Sequence, residues 1–495
     1  LRTRLKLLSL VFLLSFSCMP TVKAEAVSES ASASTSIPYF DSNSLIKSDG
    51  SYWIWGRDQL VPTHVQGISD VKYSYGRFFV KNDNTVWYWK QTMFNYNSAD
   101  LIQVKELDGG YAQAEGSGGM AIRDLKGNVF FVPWVDNDIF GYDFRIVEKI
   151  DVDHITDLTS FDKSASYMRN WVFLKDNGTV WAYSGFRPRP VAAVKGLHDI
   201  IDIYRNYALK SDGTVWYWTG EPNESAEQIK GLVKIKSILP DFFSRLFIDE
   251  QARLWYGGSN INSSNEELIK QQTPVMIASI NDVKDAVTIR DSLIVLTQRG
   301  DVYETPITQH SMTKNPKFNL LATQVVSIKS AESHFIMQKN DGTLWGWGTN
   351  TNAELGAGDN RSVAKTPVPV GSPISLEVNG EDVLLTSGVI MRNNQSFIPL
   401  RSLLVMLNAS IRYDSNSNIV IESKEGTSPP IRISINWKSG AILLNEKPTV
   451  SQTKAFLLNG TSYIPLRFVS EQLGADVSWS KTENKLSITL KELLP

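Results

Sequence analysis

The sequence predicts a mainly β protein: a β-propeller of seven or eight blades followed by a C-terminal α+β domain of two repeats. Three observations carry this. A hairpin signature recurs eight times between residues 48 and 348, its first aromatic spaced by about 42 residues on average. The copies are rich in Trp, Tyr and β-branched residues around Asp-Gly or Asn-Gly turns, the composition of short strands. After residue 370 that signature stops, and an Ile-Pro-Leu-Arg motif occurs twice, 66 residues apart.

The 495 residues are 42% hydrophobic and 21% charged, which excludes a wholly disordered, collagen-like or polytopic membrane chain. Arg2, Arg4 and Lys6 precede an apolar run from Leu7 to Phe16, too short to span a bilayer. Residues 1–24 therefore read as a secretory signal peptide cleaved after Ala24, with Ala26 as the second choice, no transmembrane segment in the mature chain and a secreted or cell-envelope location. Cleavage removes four of the 50 basic and none of the 52 acidic residues, leaving a net charge of −6 and no basic field for nucleic acid. It also removes the one cysteine, Cys18, and with it disulfides and thiol chemistry. Residues 25–40 are a Ser/Ala-rich leader.

The propeller is assigned to residues 41–370. The first aromatic after each turn falls at Trp53, Trp87, Phe130, Trp181, Trp216, Trp255, Tyr303 and Trp345. In the copy from Ile200 to Gly220, three strands are expected, with Asp212-Gly213 between the second and third as a two-residue type I′ turn. Segments such as Pro190-Val191 and Pro367-Val368 then supply an outer fourth strand. Four short strands per repeat make a propeller blade. The Trp-x-Trp pairs at 53/55, 87/89, 216/218 and 345/347 share one face of their strand. Because both faces of a blade meet neighbouring blades, these pairs read as filler rather than as a sugar platform.

The stretch WGWGTNTNAELGAGDNRSVAKTPVPV, from Trp345 to Val370, resembles the repeat of the regulator of chromosome condensation family in its Trp-Gly, Leu-Gly-x-Gly-Asp and Pro-Val finish. The other seven copies mostly lose the Leu-Gly-x-Gly part. The resemblance implies a propeller, usually seven-bladed in that family, against eight hairpins here. Either there are eight blades, or the first hairpin completes a blade begun by residues 367–370, or one copy is peripheral. A nucleotide-exchange role is not implied, since that activity needs a cytosolic GTPase. The second repeat aligns NQSFIPLRSLLVMLNASIRYDSNSNIVI from Asn394 with GTSYIPLRFVSEQLGADVSWSKTENKLSI from Gly460. Each half reads as a strand, a short amphipathic helix opening at Pro-Leu-Arg, and a hairpin. Leu466, Val469 and Leu473 share a face of the second helix, and Gly474 stops it. Residues 373–491 resemble the copper amine oxidase N-terminal-like domain, also called a stalk domain, common in exported bacterial proteins. There it is an accessory to a catalytic portion, so the resemblance implies neither copper nor oxidase activity. The two folding units should meet near residues 370–374, where Gly371-Ser372-Pro373 interrupts any strand.

Five histidines, at 64, 154, 198, 310 and 334, show no metal-binding spacing, and no nucleophile elbow, P-loop or dinucleotide fingerprint occurs. Asp136, Asp138 and Gly141 have part of a calcium-loop spacing, as do Asp414, Asn416, Asn418 and Glu425. Phe140 and Ile419 stand where a ligand and the turn glycine belong, so both read as polar turns. No catalytic residue, metal site or cofactor is assigned.

The expectation is a secreted, non-enzymatic binding protein. Its propeller presents loops to a macromolecular partner, an extracellular protein or cell-wall polymer, and its stalk domain spaces or anchors it. The loops after the Trp strand hold Met93, Phe94, Tyr96, Phe140, Tyr142, Phe144, Phe186, Arg187 and Arg189, largely aromatic and arginine side chains in which binding energy concentrates. The competing readings are an inhibitor of an extracellular enzyme, and a propeller lyase or glycosidase. The enzyme would need an acidic pair or a His cluster at the central channel.

Overall fold

The structure, a computed structural model, describes residues 37–490 except 90–100, 134–146, 163–168, 185–190, 219–224, 260–272, 414–418, 423–430 and breaks of one to four residues. Among the described residues, eight four-stranded antiparallel meanders follow one another from Tyr39–Phe40 to Val363–Pro369. Strands run in sequence order in each, here called a to d, and consecutive a strands lie side by side around the centre. The propeller has eight blades. The alternative in which the first hairpin completes a blade begun by residues 367–370 fails, because Pro369 pairs with Trp345 inside blade 8 and blade 1 supplies all four of its own strands.

Blade 5 shows how the sequence builds the unit. Its strands are Ile200–Tyr204, Tyr207–Lys210, Val215–Tyr217 and Glu227–Gln228. The expected two-residue turn is instead a three-residue loop. Lys210 N donates to Thr214 O and Gly213 N to Lys210 O, both at 2.9 Å, and only Gly213, at φ +79°, is left-handed. This is a type I turn with a glycine bulge. Asp212 stays right-handed because its Oδ1 accepts from Thr214 N at 2.9 Å and Thr214 Oγ1 at 2.6 Å.

The turn also joins the blades. A Cβ on Gly213 would stand 2.8 Å from Lys234 Cα, just before strand a of blade 6. Ile235 N donates to Gly213 O at 3.0 Å, and Glu250 N in the next turn donates to Lys234 O at 2.9 Å. The same pair of bonds recurs from blade 1 to 2 through Asp70, 3 to 4 through His154, 4 to 5 through Asp199, 6 to 7 through Asp282 and 7 to 8 through Gln324. All six joint residues are left-handed, with φ from 58° to 62°, although none is glycine. Both sheet faces bury apolar side chains: in blade 2, Val86 and Tyr88 meet Ile122 and Val132 of blade 3, while Phe79 and Trp89 meet Ile46 and Tyr52 of blade 1.

The ring closes differently. Phe40, Leu45, Trp53 and Trp55 of blade 1 pack on Ile336, Leu344 and Leu355 of blade 8. The segment between Leu344–Thr349 and Val363–Pro369 clasps this seam. Glu354 O accepts from Trp55 Nε1 at 2.8 Å and from Asn43 Nδ2 at 3.2 Å, and Gly358 N donates to Leu60 O at 2.9 Å. Gly356, at φ +59°, lets the clasp touch the indole, since a Cβ there would lie 2.8 Å from Trp55 Cγ. The one copy that keeps Leu-Gly-x-Gly-Asp is therefore the one that shuts the ring.

In the C-terminal body, strands Gln395–Pro399 and Thr461–Pro465 of the two Ile-Pro-Leu-Arg motifs pair antiparallel, with Phe397 opposite Pro465, Ile398 opposite Ile464 and Pro399 opposite Tyr463. A local twofold thus passes between Ile398 and Ile464. Each strand leads into its helix, Leu400–Leu407 or Leu466–Gln472, and the second ends at Gly474, φ +88°. Leu403, Leu466 and Val469 are fully buried in the core shared by the halves.

Candidate binding surfaces

In a meander blade the a–b and c–d connections leave one rim and the b–c turns and d–a connections the other. The two faces of the disc differ accordingly. The turn face is laced by the blade-to-blade backbone bonds described above. The loop face receives the connections after each Trp strand. Met93, Phe94, Tyr96, Phe140, Tyr142, Phe144, Phe186, Arg187 and Arg189 belong to three of these connections and lie outside the described residues. So do both calcium-like turns and His310.

The paired tryptophans divide by depth. Trp53, Trp55, Trp89 and Trp218 are buried, whereas Trp87, Trp216, Trp345 and Trp347 are half-buried. The first ring of strand c, half-buried except for Trp53, sits in a repeated relay. In blade 5, Trp216 Nε1 donates to Thr214 Oγ1 at 3.0 Å, Thr214 donates to Asp212, and the Lys210 ammonium lies 4.3 Å from the centre of the ring. Blades 1, 2, 4 and 8 repeat it with Asp or Asn, Ser or Thr, Trp and Lys at matching positions. The chain's own lysine covers each ring.

Strand a, the first of each blade, carries acids at one register position in three blades. In blades 4, 5 and 7 these are Asp157, Asp202 and Asp285, each beside a β-bulge. Burial pushes the Asp202 carboxyl up to about 6, helped by the Asp157 charge, while Asp285 is also raised by burial. These are the acids a channel enzyme would use. Their hydrogen bonds give them structural work: Asp157 accepts from Leu158 N at 2.8 Å, Asp285 from Ala286 N at 2.9 Å, and Asp202 from Ile238 N of blade 6 at 3.2 Å. The described histidines are dispersed. His334 is buried at the seam, Nε2 3.1 Å from Ser42 O, and burial holds its pKa below the usual value. His64 stacks on Trp53 at 5.1 Å. His154 and His198 are exposed beside Asp176 and Asp199. No group of three or more potential metal-ligating His, Cys, Asp or Glu side chains forms among the described residues, and no helix there is long and apolar enough to cross a membrane.

The sequence did not announce the joint between the two bodies. Outer strands such as Ala192–Ala193 and Glu227–Gln228 are exposed, but Gln59–His64 of blade 1 is buried over its first five residues. Leu60 and Val61 pack on Ile390, Phe397 and Tyr463 of the C-terminal body. Gly388 N donates to Thr63 Oγ1 at 2.9 Å, and a Cβ on Gly388 would meet Pro62 O at 2.8 Å. Arg392 lies 3.8 Å from the ring centre of Phe456 and reaches Gly358 O at 3.4 Å. Beside this contact a cleft of 290 Å³ is lined by His64, Asp49, Asp382 and Ser375 among others.

Among solved structures the chain is similar to human WBSCR16, at 16% identity over 55% of this chain and 84% of that one, with a TM-score of 0.37. It is similar to Prp20p from Saccharomyces cerevisiae, at 12% identity over 57% and 82%, TM-score 0.39. The computationally designed Ika8 protein is matched at 13% identity over 64% and 96%, TM-score 0.40. No curated protein matches the sequence. In the C-terminal body, residues 377–488 match the family model of the copper amine oxidase N-terminal domain.

Proposed function

We propose that the chain is an exported, non-enzymatic binding protein whose propeller offers its loop face to an extracellular protein or cell-wall polymer. The stalk domain, seated on blade 1, spaces or anchors it at the envelope. The sequence of the connections after the Trp strands supports this reading, since they are rich in aromatics and arginine, while backbone bonds between blades run along the turn face. Inhibition of an extracellular enzyme is one form such binding could take. The channel acids fit a lyase or glycosidase less well, because each serves backbone N–H groups at its own bulge or the neighbouring blade.

Capture of partners from culture supernatant and cell-wall fractions by the mature protein tests the reading. Phe94→Glu and Tyr142→Glu should leave melting intact and abolish capture. Binding that survives both changes would sink it. Secreted material should begin at Glu25 or Val27.

A further inference from the structure

Seven of the eight blades place an ionic side chain where strand b ends beside the strand c aromatic. In blades 1, 2, 4, 5 and 8 it is Lys47, Lys81, Lys175, Lys210 and Lys339, with ammonium groups 5.5, 5.0, 4.9, 4.3 and 4.1 Å from the ring centres. Blade 3 has Arg123. Blade 6 has Asp249, whose carboxylate accepts from Trp255 Nε1 at 2.9 Å and Arg253 Nε at 2.7 Å. Blade 7 alone has an uncharged residue, Thr297. This short side chain is turned back on its own loop, donating to Asp301 O at 3.2 Å and accepting from Asp301 N at 3.1 Å.

A cavity of 360 Å³ opens at that place, walled by Thr297, Tyr303, Phe318, Asn281, Asp282 and Asp301. Tyr303 and Phe318 meet edge to face, 6.4 Å apart. Asn281 holds the register position of Asp153, which in blade 4 takes the Lys175 ammonium at 2.8 Å. The cavity's own cation, Arg299, is 82% exposed and reaches Asp282 at 3.5 Å. An aromatic ring, the Asp301 carboxylate and an Asp282 carboxylate shared with Arg299 therefore stand where five other blades hold an ammonium against a ring.

We propose that this cavity receives a lysine side chain of a partner polypeptide, its ammonium taking over Tyr303 the place held elsewhere by the chain's own lysine. The five internal lysines give the measure of the ligand, a four-carbon stem ending in a primary ammonium, and Phe318 and Pro316 offer that stem an apolar wall. The site lies on the turn face, so it stands independently of the loop-face reading above.

Titration of the full chain with Nα-acetyl-lysine N-methylamide, followed by saturation-transfer NMR, tests it against the norleucine counterpart and glucosamine. The lysine derivative should bind and the norleucine one should not. Thr297→Lys supplies the internal ammonium and should abolish binding while the melting temperature holds or rises. Tyr303→Leu should weaken binding by about twofold to fivefold, and Arg299→Ala, which removes a like charge, should strengthen it. Equal binding of norleucine, binding that survives Thr297→Lys, preference for glucosamine, or no lysine binding to the wild-type chain would each overturn the proposal. Should Thr297→Lys fail to fold, the norleucine comparison and Tyr303→Leu decide it.

Discussion

The seam between blades 1 and 8 depends on a glycine touching an indole, and Gly356→Ala measures that dependence. At φ +59° an alanine costs about 1–2 kcal/mol for the left-handed backbone. Its Cβ, 2.8 Å from Trp55 Cγ, adds about 1–3 kcal/mol of overpacking. The total is about 2–5 kcal/mol, drawn from one contact. Gly342→Ala is the control, because Gly342 has φ +82° but its added Cβ meets nothing within 4 Å, so only the backbone part applies. Urea denaturation should separate the two variants. Hydrogen exchange should show protection falling first in peptides covering 39–56 and 344–369, with blades 4 and 5 unchanged. If Gly356→Ala costs no more than Gly342→Ala, or if protection falls evenly around the ring, the clasp does not hold the seam.

Trp53→Ala, which empties a fully buried site, should cost about 3–5 kcal/mol by thermal melting, and half-buried Trp216→Ala should cost less. Asp202, raised to about 6 when folded, binds a proton more tightly in the folded than in the unfolded state. Its contribution to stability is therefore lost as pH rises through 6, and Asp202→Asn should raise the melting temperature at pH 7.5 but not at pH 3.5. His334 is shifted the other way, so stability should fall as pH drops through the unfolded histidine value of about 6.5. Replacing His334 with Gln should flatten that part of the pH profile. Leu60→Lys should loosen the joint with the stalk domain, and limited proteolysis near residues 371–374 should then run faster than in the wild-type chain.

The elements with a local signature were legible. Asp-Gly turns between β-formers mark every b–c hairpin they occupy, and the repeated Ile-Pro-Leu-Arg gives both helices of the stalk domain. The turn type was misread, because whether Asp212 is left-handed depends on a side-chain bond to Thr214 that the dipeptide does not encode. The blade joints were illegible for a different reason. Asp70, His154, Lys234 and Gln324 share a backbone conformation but no side-chain chemistry, and the bonds that impose it come from the neighbouring turn. Burial of Gln59–His64 was hidden too. Its sequence, QLVPTH, is that of an edge strand, and what covers it lies more than 300 residues away. The gap at Thr297 was present in the sequence as a broken repeat, yet only the cavity beside Tyr303 gives that break a meaning.

Because each blade is one uninterrupted run of chain, linked to its neighbour at most joints by main-chain bonds, an interior blade could be gained or lost by duplicating or deleting about 42 residues. The main-chain bonding pattern of the remaining blades would not need to change with it, only the apolar side chains where blades newly meet. The first and last blades have no such freedom, since Trp55 and Asn43 are read by Glu354, and Leu60 by Gly358. Descendants of this architecture should therefore vary in the number of their middle repeats while inheriting their two end repeats as a matched pair.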